Sequence, residues 1–68
     1  MNINGQKIEM MLAEKDMTQA LLAEKSGISR QSINVIIRRG TCAPKNAGKI
    51  AKGLGVPVTD IIAKEGAR

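Results

Sequence analysis

The sequence predicts an all-α fold, a compact domain of five short helices, and three observations carry that expectation. Three capping residues, each preceded by an apolar residue and followed by another four positions on, mark three helix starts. Two proline-led apolar segments follow in the second half, and no strand alternation, internal repeat or low-complexity tract competes with them. A chain of 68 residues allows one core, so a single domain is expected over 1–68.

The first helix is predicted over 5–15, with Asn4 as its cap and Ile3 stapled to Ile8; Ile8, Met11, Leu12 and the stem of Lys15 share one face. The second spans 18–25, with Thr18 as cap and Met17 stapled to Leu22. The third spans 29–38, with Ser29 as cap, Ile28 stapled to Ile33, and Ile36 and Ile37 also inward. In each case the cap's side-chain oxygen satisfies a helix N–H that would otherwise lack a partner.

Pro44 suits the first turn of a fourth helix over 45–54, which turns Ala47, Ile50, Ala51 and Leu54 inward and stops at Gly55. Gly48 and Gly53 within it each cost about 1 kcal/mol against alanine, so it is expected to be short or irregular. A fifth helix over 58–64 follows Pro57 and carries Val58, Ile61 and Ile62; Gly66-Ala67-Arg68 is expected to fray.

Between the second and third helices only Lys25-Ser26-Gly27-Ile28 intervenes. Glycine reaches positive φ at little cost, so Gly27 can end one helix and redirect the chain within a few residues. Ala23, four residues earlier, is small enough for a close crossing. Two helices joined this tightly make a helix-turn-helix, expected over 18–38.

Composition removes several classes of function. There is no His, and the single Cys42 provides neither an internal disulfide nor a metal-ligand set, so no metal or cofactor is expected. With no nucleophile–base pair and no phosphate-cradling glycine loop, the chain is not read as an enzyme and no small-molecule substrate is expected. The absence of aromatic residues removes the stacking platforms that grip single-stranded bases. No apolar run is long enough for a membrane span and no signal peptide opens the chain, which points to the cytoplasm. Cys42 is read as an inert thiol, and Met10, Met11 and Met17 as core or interface filler.

Charge is lopsided. Met1 to Glu24 holds two basic residues against four acids, whereas Lys25 to Thr59 holds seven basic residues and no acid. Such a polycationic middle is either a solvated face or a surface that meets phosphate.

Three blocks together resemble the phage-repressor and Cro-like (Xre-like) helix-turn-helix family: Met17-Thr18-Gln19, the run from Leu22 through Ile33, and Lys49-Ile50-Ala51-Lys52-Gly53-Leu54-Gly55-Val56. The resemblance implies five helices with the third in the DNA major groove. Two departures stand out. Where many relatives pair an Arg in the first helix with a Glu late in the third, this chain has Leu12 and Ile37, an apolar contact that avoids desolvating charge. The third helix also ends in Arg38-Arg39-Gly40, with the glycine one residue late for the family.

Arg30, Gln31 and Asn34, at the exposed start of the third helix, are the candidate base readers. Arg makes a bidentate contact with guanine, and Gln or Asn does so with adenine. The resemblance implies that Gln19 contacts phosphate and buttresses the reading helix. Ser29 and Ser32 add hydroxyls for the backbone, as Thr18 does beyond its capping role, and Arg38, Arg39 and Lys45 add cations; Lys49 and Lys52 are left to solvent.

The chain therefore reads as a sequence-specific double-stranded DNA-binding regulator, a repressor, acting as a homodimer through Val58, Ile61 and Ile62 if the core leaves them free. The rival reading is an antitoxin or adaptor that holds a partner protein through the same domain.

Overall fold

All three caps form as their residue types dictate. Asn4 Oδ1 accepts the Lys7 amide at 3.0 Å, Thr18 Oγ1 the Leu21 amide at 3.0 Å, and Ser29 Oγ the Ser32 amide at 3.1 Å. In the computed structural model, which describes residues 1–63, these caps open α1 (Gly5–Glu14), α2 (Gln19–Ser26) and α3 (Arg30–Arg39). Then come α4 (Pro44–Leu54) and a single 3-10 turn, Val58–Asp60.

Helices α2, α3 and α4 each stop at a left-handed glycine, Gly27, Gly40 and Gly55. α1 stops without one. Asp16 takes φ +53° there, a conformation that Asp tolerates better than most residues, and the next amide, Met17 N–H, reaches back to the Leu12 carbonyl at 2.8 Å.

The largest fully buried side chains are Ile8, Leu22, Ile33 and Ile50, one from each helix, and Ile61 beyond the 3-10 turn. α2 packs against both α3 and α4, while α1 lies on α3. The stapling residues Ile3 and Ile28 are buried in the same core, and Met11 and Met17 pack on it half-buried. Met10 is exposed, and so is Lys15, whose stem does not join the apolar face expected of it.

The fifth helix is not an α-helix. One turn forms, with Asp60 N–H on the Pro57 carbonyl at 2.9 Å and Ile61 N–H on that of Val58 at 3.1 Å, and then the backbone is diverted. The Ile61 carbonyl, which a longer helix would need internally, accepts the Asn4 amide at 2.8 Å. Ile62 pairs with Ile3 as an antiparallel bridge, and Ala63 N–H reaches the Asn2 carbonyl at 3.0 Å. Ile61 is therefore spent on the core and gives no surface for dimerisation, leaving Val58 and Ile62 half-covered. The last residue of the predicted 58–64 helix and the tail Gly66-Ala67-Arg68 lie outside the described residues.

The opening segment has two neighbours. On its other side Ile3 N–H donates to the Gly40 carbonyl at 2.8 Å, Cys42 N–H to that of Met1 at 3.1 Å, and Asn2 bridges Thr41. Met1–Asn4 thus stitches the exit of α3 to the end of the described chain in a short extended seam that no alternating pattern announced.

Two glycines sit where helices meet. A Cβ on Gly5 would fall onto the Ile37 carbonyl oxygen, so α1 can lie on the end of α3 only without a side chain there. At Gly53 a Cβ would come within 3.0 Å of Leu22 Cδ1 and 3.3 Å of the Ser26 amide nitrogen. α4 consequently runs eleven residues unbroken, contrary to the short or irregular helix its glycines suggested. Packing against α2 outweighs the intrinsic cost of Gly53.

Candidate nucleic-acid interface

The turn that presents α3 rests on two residues. Gly27 takes φ +77° with its N–H on the Ala23 carbonyl at 2.9 Å, closing α2. Ser26, the one buried polar residue among those described, accepts the Ile28 amide on Oγ at 3.3 Å and satisfies a donor that the turn would otherwise strand. Sequence reading credited Gly27 and passed over Ser26, because nothing in a Lys-Ser-Gly run reveals that the serine points inward.

Ser29 then sets the start of α3 with two bonds. Its Oγ accepts the Ser32 amide and donates to Ser32 Oγ at 2.9 Å. With Ile33 and Ile36 buried, the opposite face carries Gln31, Asn34, Val35 and Arg38 at helical spacings of three and four.

That face forms one wall of an open groove. The start of α2 contributes Thr18, Gln19 and Ala20; α3 contributes Arg30, Gln31, Ser32, Asn34, Val35, Arg38 and the edge of the buried Ile36; and Cys42, Ala43 and Asn46 close the far side. Asn34 Nδ2 donates to Gln19 Oε1 at 3.5 Å, a long bond that ties the start of α2 to the middle of α3.

The groove thus brings together all three predicted base readers, Arg30, Gln31 and Asn34, with Gln19, Ser32 and Arg38 from the predicted backbone set. Ser29, Arg39 and Lys45 are exposed but do not line it. Sequence reasoning missed Ala20, Val35, Ala43 and Asn46. Val35 was accessible by spacing alone, four residues after Gln31, whereas Ala43 and Asn46 reach the groove only through the path of the loop after α3.

Among the described residues no acid lines the groove, while Arg30 and Arg38 do. Lys25, Arg39, Lys45, Lys49 and Lys52 are also exposed. A concave surface with this charge favours a polyanion, and its amides and guanidinium groups supply directional donors and acceptors. Arg38 and Arg39 in the last turn of α3 also complement the negative end of that helix.

Cys42 sits half-buried at the edge. Burial pushes its thiol above the ordinary range, and the nearby N-terminal ammonium opposes this only in part. A raised value keeps the sulfur protonated and weakly nucleophilic.

Short helices joined by a glycine turn, with the outer face of the second exposed beside the start of the first, define a helix-turn-helix protein. The helix-turn-helix family model matches residues 8–61, and the chain belongs to this Xre-like family of DNA-binding regulators.

Among solved structures, the chain is similar to the wild-type restriction-modification controller protein C.Esp1396I, at 37% identity and TM-score 0.71, covering 78% of this chain and 70% of that one. A serine-to-alanine point mutant of the same controller matches at 36% identity and TM-score 0.73 over 81% and 73% of the two chains. The restriction-modification controller protein C.AhdI from Aeromonas hydrophila matches at 26% identity and TM-score 0.73 over 82% and 86%. No curated protein matches the chain in sequence.

Proposed function

We propose that this chain is a sequence-specific double-stranded DNA-binding repressor of transcription that inserts α3 into the major groove. The observation that carries the reading is the groove, lined by no acid among the described residues, in which Arg30, Gln31 and Asn34 share one surface with Gln19, Ser32 and Arg38. Arg30, Gln31 and Asn34 read base edges. Gln19, Ser29, Ser32, Arg38, Arg39 and Lys45 hold the phosphate backbone and fix the register without carrying sequence information. Gln19 has a second task, since its bond to Asn34 restrains the amide that reads.

The solved structures it resembles are described as restriction-modification controllers, which supports control of gene expression as the role. Repression follows from occupancy: a protein seated across a promoter excludes polymerase. With principal extents of 34 × 23 × 20 Å, residues 1–63 engage one face of about one helical turn. Selectivity against a genome therefore calls for two copies on half-sites roughly 34–36 Å apart, a homodimer on DNA. The whole chain acts as one DNA-binding domain in the cytoplasm, without cofactor or catalysis.

Selection from random duplexes, followed by binding measured across salt, tests this. Affinity for the selected site is expected to fall at least about tenfold between roughly 50 and 200 mM salt as counterions are released. Arg30→Ala should change which bases are preferred, whereas Arg38→Ala should weaken all duplexes alike. Salt-independent binding, or identical behaviour of the two variants on every duplex, overturns the assignment.

A further inference from the structure

Val35 is the exposed apolar residue that α3 gives the groove, which the buried Ile36 only edges. The other apolar residues of α3 turn toward the core, Ile33 and Ile36 buried and Ile37 half-buried, yet Val35 is 38% exposed on the opposite face. It follows Asn34 directly, stands one helical turn from Gln31 and three residues from Arg38 and Ser32, and lines the same groove as all four.

Neither packing nor helix propensity accounts for valine there. A β-branched side chain is a poorer helix former than alanine, and a partly exposed position outside the core returns only part of the burial energy that would offset this. What valine offers is a rigid apolar surface, because in a helix its χ1 is held to essentially one rotamer and its two methyl groups point in fixed directions. Ala20, from the start of α2, lines the same groove and is also apolar.

In the major groove, only one standard base presents an apolar group, the 5-methyl of thymine. We propose that Val35 is a specificity-determining residue that receives a thymine methyl, beside Asn34, whose amide suits adenine. This rests on the major-groove reading of α3. Asn34 already gives one N–H to Gln19 and keeps its Oδ1 and its second N–H, the acceptor–donor pair that adenine N6 and N7 require. An amide and an apolar surface on adjacent residues thus describe a patch that prefers A·T pairs.

The test replaces thymine by deoxyuridine, one position at a time, in the duplex recovered by selection. This removes a single methyl and leaves every hydrogen-bonding group in place. For the wild-type chain, one such replacement in a single half-site should weaken binding about fourfold, the value of roughly one buried methylene. For Val35→Ala, the thymine and deoxyuridine duplexes should bind alike, while thermal unfolding of the variant stays near wild type because the side chain is largely outside the core.

If the wild-type chain binds its selected duplex but no thymine shows a methyl effect that Val35→Ala abolishes, the proposal is overturned and the major-groove reading stands. If no duplex is enriched at all, both fall together.

Discussion

The front of the molecule, from Thr18 to Arg39, and the seam behind it, where Met1–Asn4 lies between Gly40–Cys42 and Ile61–Ala63, are held by different forces. The front is fixed locally. Each of its two helices carries its own side-chain cap and its own terminal glycine, and the bonds that set the turn span only two to four residues. The seam is fixed by backbone pairing between distant parts of the chain and by a glycine that lets α1 touch α3. A surface whose geometry is built from nearby residues keeps its shape largely by itself, while the seam decides how it is mounted on the rest of the fold.

Substitutions should separate the two. Gly5→Ala is expected to cost most, about 3 kcal/mol, because the new methyl meets the Ile37 carbonyl, which is backbone and cannot swing aside. Urea denaturation measures it, and a loss below about 1 kcal/mol would show that α1 is free to slide and that the seam is looser than described.

Ser29→Ala comes next, at about 1 kcal/mol for the lost cap. Ser29→Asn should recover most of that, since Asn caps equally well. If Asn restores nothing, the bond to Ser32 Oγ rather than the cap is what matters at the start of α3.

Smallest is Gly48→Ala. Its Cβ would meet nothing within 4 Å, so better helix propensity and a less flexible unfolded chain should stabilise the fold by about 0.5–1 kcal/mol. Gly53→Ala in the same helix should lose stability instead, because Leu22 and Ser26 stand in the way. Two changes of the same type with opposite sign would confirm that α4 is set by its contact with α2 rather than by its composition.

The division between front and seam also describes what a sequence can say. Asn4, Thr18, Ser29 and Gly27 speak through their own chemistry, which acts on residues two to four away, so α1, α2, α3 and the turn between the last two were legible. The exposure of Arg30, Gln31 and Asn34 together followed from the start of α3. The fifth helix failed for the opposite reason: Val58-Thr59-Asp60-Ile61 has a helical pattern, but the Ile61 carbonyl is claimed by Asn4 from the far end of the chain, and no local pattern carries that information. Gly53 misled in the same way, its value lying in Leu22 and Ser26 rather than in its own helix. Val35 is different again, for its position four residues after Gln31 was legible from spacing, yet it was given no role.

The seam's bonds also fix the order of events when the chain folds. The bond from Thr41 Oγ1 to the Met1 carbonyl closes a loop of 40 residues, and the pairing of Asn2 with Ala63 encloses nearly all of the chain. Loop closure costs more entropy the longer the loop, so contacts of this separation form only after the helices have collapsed onto one another. In the native state the same contacts belong to the low-energy end of local opening, and amide hydrogens at Ile3, Asn4 and Ala63 should exchange with solvent well before those in the middle of α2 and α4.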